Sequence, residues 1–429
     1  MFKSLQEKVW KIFQTLRQKF VSRFLQNLGW LGLSELFIRI SRLAATVVLA
    51  RILSEYDYGL AALVLTTSEF INVLTQNGIW DKLVQSDEQD LKQLCQTAYC
   101  LNWMICGSLF LIQCLISVPI AWFYKDNQII FPICVMATVY LIIPLGLVQA
   151  SMTARENRLH VTALANGLQI SIDNILTIIL ALWGWGMWAI VLPKVLVAPI
   201  WVIVHYLNNS WRPSWEFTLL NWQEIVRFGR SVLGIKMLNT LRNNLDYIIA
   251  GRFLGVGALG IYYFAFNAGL GISMSAINAV DVALFPHLCA VRSDPVQFRE
   301  RFFSSLKTIA WIVFPLVCLQ SSLAPFYVPL VFSQKWIPAI PILILICLSA
   351  LPRPFANASS RALWALDKPD WDLRWNVFFT IFFAIALLIG VHWQILGIAA
   401  AVLISHWVAL PLYTIWVSRY IQNQVQKVN

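Results

Sequence analysis

The chain has 429 residues, of which 59% are hydrophobic and only 12% are charged, against about 25% charged in an ordinary soluble domain. No soluble core of this length can hide so much apolar surface behind so little charge, which excludes a cytosolic enzyme, a secreted domain and a disordered regulator. The net charge of +11 reads as the basic excess of cytoplasmic membrane loops rather than as a nucleic-acid surface.

Residues 1–27 lack a continuous apolar core, so they are not a cleaved signal. Phe2, Leu5, Val9, Phe13, Leu16, Phe20 and Phe24 recur at helical spacing with Lys3, Lys8, Lys11, Arg17, Lys19 and Arg23 between them. That pattern predicts a basic amphipathic helix lying on the cytoplasmic leaflet.

Hydropathy then predicts twelve spans, near 30–50, 57–80, 94–118, 128–150, 162–182, 186–207, 228–250, 258–283, 302–322, 336–352, 374–391 and 395–417. The segment from Pro325 to Lys335 reads as re-entrant or interfacial. With the N-terminus in the cytoplasm, the inner loops and tails collect 23 Lys and Arg and the outer loops four, namely Arg51, Lys125, Arg252 and Lys335. The bias predicts that both ends are cytoplasmic. The expected class is an all-α polytopic membrane protein.

An internal repeat sets the architecture. LARILSEYDYGL (49–60) and AGRFLGVGALGI (250–261) align without a gap at a shift of 201, matching Arg51 with Arg252, Leu53 with Leu254 and Gly59 with Gly260. Each copy joins the first two spans of a half. The chain is therefore expected to form two parallel, pseudo-symmetric six-helix lobes, 28–210 and 211–429, related by an axis along the membrane normal. Gly255, Gly257 and Gly260 spell GxGxxG. They join two apolar spans rather than a strand and a helix, so they read as an outer turn and not a dinucleotide site.

Charges inside the spans carry the functional signal, because each costs free energy unless it faces protein or water. Glu35, Arg39 and Arg42 fall at i, i+4 and i+7 on one face of the first span. The 201-residue shift carries that stripe onto Lys236, Thr240 and Asn243 of the seventh. The expectation is a water-filled, mainly cationic cavity facing the gap between lobes. Arg39, Arg42, Lys236, Arg242 and Asn243 would contact an anionic substrate, supported by Glu35, Thr240 and Asp246. Arg242 and Asp246 are spaced for an i, i+4 ion pair, and so are Glu35 and Arg39. Glu69, Asp173 and Asp281 are candidates for a coupling proton or sodium ion, or for pairing with a buried base from another span, and Lys194, flanked by Pro193, is placed either at the cavity or snorkelling to an interface. The eight cysteines show no CxxC pair and the five histidines no HxxxH or HExxH spacing. No metal site and no cofactor are expected.

SRLAATVVLARILSEYDYGLAALVLTTSEFINVLTQNGIWDKLVQ (41–85) resembles the opening of Wzx-type polysaccharide flippases, in the multidrug/oligosaccharidyl-lipid/polysaccharide exporter superfamily. ARENRLH (154–160), FPHLCAVRSDPVQFRERF (285–302) and FSQKWIPAIP (332–341) follow in the family's order. The resemblance covers roughly residues 30–420. It implies two six-helix lobes, alternating access across a bacterial inner membrane, and a polyprenyl-pyrophosphate-linked oligosaccharide as substrate, with membrane lipids and polysaccharide assembly proteins as partners. The alternative within the superfamily is an ion-coupled exporter of small cationic compounds, which should show an acidic, aromatic cavity. A membrane enzyme of glycan assembly is disfavoured by the short outer loops.

Overall fold

The computed structural model describes residues 23–75, 79–85, 88–156, 158–214, 222–289, 291–292 and 294–426; within these, the side chains of 23–36, 222–232 and 270–283 are among those left undescribed. The surface helix expected over 1–27 therefore lies, apart from its last turn, outside the described residues.

The described chain is helical throughout. In order, the helices are α1 (Arg23–Ile52), α2 (Glu55–Val73), α3 (Ile79–Gln85), α4 (Glu88–Tyr124), α5 (Ile130–Ala137), α6 (Val139–Ile142), α7 (Pro144–Arg155), α8 (Leu159–Leu182), α9 (Trp188–Leu196) and α10 (Ala198–Asn208). There follow α11 (Trp222–Leu254), α12 (Val256–Cys289), α13 (Pro295–Tyr327), α14 (Ile340–Ser349), α15 (Arg353–Ala365), α16 (Pro369–Gly390) and α17 (Gln394–Gln426). Large apolar side chains stay uncovered on these helices, with Leu115 75%, Trp311 81% and Leu330 78% exposed. A helix that is apolar on its outer as well as its inner face belongs in lipid, and this is a multi-pass membrane protein.

Among the described residues, six helical stretches are long and apolar enough to cross a bilayer, or seven if the bent pair 127–142 and 144–155 counts as one. Two of the twelve predicted spans are missing from that number for visible reasons. First, α11 carries Lys236, Arg242, Asp246 and Arg252, so the residues that suggest a function also lower its hydropathy. Second, the stretch Pro369–Gln424 is a hairpin rather than one span. Gln394 has φ 59° at its turn, and a Cβ on Gly397 would stand 2.1 Å from the Gly390 carbonyl oxygen.

The tenth span differs most from expectation. It runs from Gln334 to Ala365, not 336–352, because the helix interrupted at Ala350–Pro352 resumes at Arg353. Pro352 is the N-cap of α15, and Pro354 sits in its first turn, where a missing N–H costs nothing. The segment Pro325–Lys335 is helical for most of its length. The helix α13 continues to Tyr327 and closes in a π-turn over Val328–Phe332.

The chain packs as two units: Met1–Leu49, Ile71–Val118 and Ile130–Gly234 in the first, and Ala50–Phe70, Pro119–Ile129 and Ile235–Asn429 in the second. In the first, the ARENRLH motif ties loops together. Arg155 donates to the carbonyls of Leu83 and Val84 at 3.2 and 3.3 Å, and Arg158 to that of Asn208 at 2.7 Å. Gln96 exchanges two hydrogen bonds with the Ser214 backbone, at 2.8 and 3.0 Å.

Both copies of the repeat belong to the second unit, and they pack on each other reciprocally. A Cβ on Gly59 would lie 1.9 Å from the Val256 carbonyl oxygen, and one on Gly260 would lie 1.8 Å from that of Glu55. The 201-residue shift maps Gly59 onto Gly260 and Glu55 onto Val256, so each glycine meets the repeat partner of the residue that meets the other. Gly260 is thus a helix-crossing residue rather than a turn residue; the turn falls to Gly255, with φ 85°. Ser54 and Asp57 form a capping box on α2, Asp57 accepting from the Ser54 backbone N–H at 3.1 Å and Ser54 Oγ from that of Asp57 at 3.1 Å.

The matched arginines do different work. Arg51 donates to the carbonyls of Val331 and Leu330, at 2.9 and 3.1 Å, filling acceptors that the π-turn exposes. Arg252 lies over the Phe123 ring, 5.1 Å from its centroid. Next to Arg51, Trp336 is fully buried, stacks on Phe264 at 3.9 Å and donates to the Ala50 carbonyl at 2.6 Å.

Candidate functional site

Two polar cavities occupy the second unit and share a wall. One, of about 440 Å³, is lined by Glu69, Asn244, Asp246, Tyr247, Tyr263 and Asn267 among others. The other, of about 310 Å³, is lined by Asn239, Asn357, Ser360, Trp375, Asn376 and Tyr413 among others. Arg242, Asn243, Arg353 and His406 line both.

Arg242 comes from the middle of α11 and Arg353 from the first position of α15. The Arg242 guanidinium is held by neutral amides, donating to Asn376 Oδ1 and, at 3.1 Å, to Asn239 Oδ1. It also lies 5.9 Å from the centroid of the Phe379 ring. Arg353 Nε is buried and has no hydrogen-bond partner among the described residues. Neither arginine forms an ion pair there.

The nearby carboxylates are spent elsewhere. Asp246 accepts from Tyr262 Oη at 2.7 Å and from the Tyr247 backbone N–H at 3.0 Å. The i, i+4 pair expected between Arg242 and Asp246 is therefore not formed, because each side chain turns to a partner on another helix or on its own backbone. Asp372, which opens α16, is buried and accepts from Ser360 at 2.7 Å, Trp364 at 2.8 Å, Tyr413 at 2.8 Å and Asn376 at 3.0 Å. Asn376 thus links Asp372 to Arg242, donating to the acid and accepting from the base. Asp372 positions the wall and has little lone-pair capacity left for a ligand.

Two positive groups on one wall without a carboxylate contact are costly unless an anion completes them. An arginine pair suits phosphate oxygens, since each guanidinium can donate two parallel hydrogen bonds. The site can therefore hold a polyanionic head group beside a set of neutral amides.

The other residues expected in the site are dispersed. Arg39 and Arg42 lie exposed on α1 in the first unit, where Thr46 donates to the Arg42 carbonyl at 2.8 Å and Asn174 donates to Ser41 at 2.9 Å. Lys236 is half-buried on α11 and lines neither cavity, and Thr240 is buried with its carbonyl accepting from Asn244 at 3.0 Å. Glu69 lines the larger cavity and accepts from Asn244. Asp173 forms an ion pair with Lys194 at 3.2 Å. The side chains of Glu35 and Asp281 lie outside those described.

Arg353 is the cavity residue that sequence reading did not single out, since it fell just beyond the predicted span 336–352. Its signal was the PRP triplet, Pro352-Arg353-Pro354, read there as the end of a span. A charged residue between two prolines inside an apolar run is also what a broken membrane helix looks like, where freed backbone and a buried cation face a cavity.

Among the described residues the elements are helices without strands, with one pair bent by 52° and an internally repeated pair of glycine crossings. The structure matches that of the lipid II flippase MurJ in its inward closed conformation, with a TM-score of 0.76 at 14% identity, covering 91% of this chain and 87% of that one. Over residues 48–341 the chain matches the model of the polysaccharide biosynthesis protein family, and it belongs to that family. It is similar to the teichuronic acid biosynthesis protein TuaB of Bacillus subtilis, 27% identical over 92% of this chain and 84% of the relative. It is likewise similar to the lipopolysaccharide biosynthesis protein WzxC of Escherichia coli, 26% identical over 88% of this chain and 76% of the relative.

Proposed function

We propose that this protein is a flippase that moves polyprenyl-pyrophosphate-linked oligosaccharide units from the cytoplasmic to the outer face of a bacterial inner membrane by alternating access, for polysaccharide assembly. The observation that carries the reading is the wall formed by Arg242 and Arg353, two cations without an ion-pair partner among the described residues. A pyrophosphate supplies about two negative charges and cannot cross hydrocarbon unassisted. No covalent bond changes during transport, so the reading assigns the protein no catalytic residue and no cofactor. Arg39, Arg42 and Lys236 would serve the head group at another stage of its passage.

Glu69 and Asp246, beside Tyr247 and Tyr263 in the larger cavity, fit a coupling proton or sodium ion. This acidic, aromatic corner also favours the second reading, ion-coupled export of small cations. The arginine wall argues against that reading, because it would repel a cationic cargo entering the same cavity. Both termini are cytoplasmic in this scheme, and the two lobes, 28–210 and 211–429, serve alternating access.

The test is in cells lacking the protein. Complete lipid-linked repeat units should accumulate on the cytoplasmic face of the membrane, and the intact gene should release them while Arg353→Gln should not. Lipid-linked glycan reaching the outer face in the deleted strain, with no second flippase present, would overturn the reading.

A further inference from the structure

The smaller cavity differs in chemistry from the arginine wall that bounds it. The side chains of Asn243 and Asn357 line it and make no hydrogen bond among the described residues. Asn239 gives its oxygen to Arg242, and its NH₂ group donates to no partner there. Each free amide offers a donor and an acceptor side by side, which matches the paired hydroxyls of a sugar ring. One side of the cavity is aromatic. Trp375 and Tyr413 stack with ring centroids 4.9 Å apart and planes 9° from parallel, and such amphipathic rings pack against the C–H faces of sugars while keeping polar edges available. The lining acids that could repel a phosphate-linked glycan are absent here, since Asp372 sits behind the wall with four donors. At about 310 Å³ the space is at the small end of ligand pockets, about 300–1,000 Å³.

Resting on the transport reading above, we infer that this amide-and-aromatic chamber holds the sugar joined directly to the pyrophosphate, while Arg242 and Arg353 hold the phosphates at the shared wall. The chamber is then a specificity site. Asn357 reads sugar hydroxyls, and Trp375 supports the ring.

The experiment uses the full chain in nanodiscs and two probes. One is a sugar-free polyprenyl pyrophosphate. The other is the saccharide-bearing polyprenyl pyrophosphate that accumulates in cells lacking the protein. Asn357→Leu should weaken binding of the saccharide-bearing probe about tenfold and leave the sugar-free probe unchanged, with Trp375→Leu acting in the same direction. Arg353→Gln should weaken both. Asn357→Ser, which keeps a hydroxyl, should bind the saccharide-bearing probe better than Asn357→Leu, and thermal unfolding confirms that the variants are folded. Equal weakening of both probes by Asn357→Leu, or no weakening of either, overturns the sugar chamber while leaving the flippase intact. A wild-type protein that binds neither probe overturns the flippase, and the sugar chamber with it.

Discussion

Two helices that follow a proline, α7 and α15, are built from related sequence and placed in opposite surroundings. Helix α7 begins at Pro144, and α15 follows Pro352. A shift of 208 aligns Pro144 with Pro352, Gln149 with Asn357, Ala150 with Ala358, Ser151 with Ser359 and Ala154 with Ala362. Ala150, Ser151, Ala358 and Ser359 are all buried, so the small-residue face packs in both copies. The other positions diverge. In α7, Gly146 lies so close to its neighbour that a Cβ there would stand 3.1 Å from Val202 Cα. Gln149 is fully buried, with both amide atoms unpartnered among the described residues. In α15 the aligned amide of Asn357 faces a cavity, and Arg353 stands where α7 has Leu145. A helix broken by proline needs somewhere to put freed backbone and polar groups. One copy closes over them by packing, and the other leaves them lining a cavity.

The comparison can be broken most severely at the cation. Arg353→Leu gives α15 the residue of α7 and should abolish transport, with at least about a 100-fold loss, while the protein still inserts; a flipping assay on purified protein in vesicles measures it. Retained transport would show that α15 carries no more function than α7.

The glycine crossing should be nearly as sensitive. Gly59→Val and Gly260→Val each place a side chain inside backbone, since even a Cβ meets oxygen at 1.9 or 1.8 Å. Each should cost about 3 kcal/mol or more of stability, read as lost folded protein in a thermal melt, and the two losses should be similar because the contacts are reciprocal. Unequal losses would weaken the claim that the repeat partners are structurally equivalent.

Asp372→Asn should have a moderate effect. It removes the charge and turns one of the two acceptor oxygens into a donor, so that Ser360, Trp364, Tyr413 and Asn376 can no longer all be satisfied, and about a tenfold loss in head-group affinity is expected. The measurement is binding of sugar-free polyprenyl pyrophosphate, where Asn376 acts through Arg242.

The smallest effect sharpens the comparison most. Gln149→Leu replaces a buried amide that has no partner by an apolar side chain of similar size, and should leave stability unchanged or raise it by about 1 kcal/mol. Asn357→Leu, at the aligned position, should leave stability unchanged and lose substrate affinity. Thermal melts of both variants with one binding assay separate the two roles.

Much of the fold was legible in the chain. Membrane class followed from apolar content, because water cannot accommodate that surface. The repeat followed from Arg51, Gly59, Arg252 and Gly260, and the reciprocal crossing explains the matched glycines, since no side chain fits there. Ionisable and amide side chains in apolar helices must face protein or water, which singled out Arg242, Asn243 and Asp246 as candidates for a cavity and Glu69 as one for a coupling ion.

Tertiary structure alone decided the partners. Helical spacing could propose an Arg242–Asp246 pair, but only the positions of α12 and α16 turn Asp246 to Tyr262 and Arg242 to Asn376. Spacing likewise left Asp173 open between an ion site and an ion pair, until α9 placed Lys194 beside it. Arg353 and Asp372 fell just outside the predicted spans 336–352 and 374–391 because hydropathy averages over a window and loses a span's charged or proline-flanked ends. Their roles depend on long-range packing, and a linear pattern does not record which distant helix will supply the neighbouring atom.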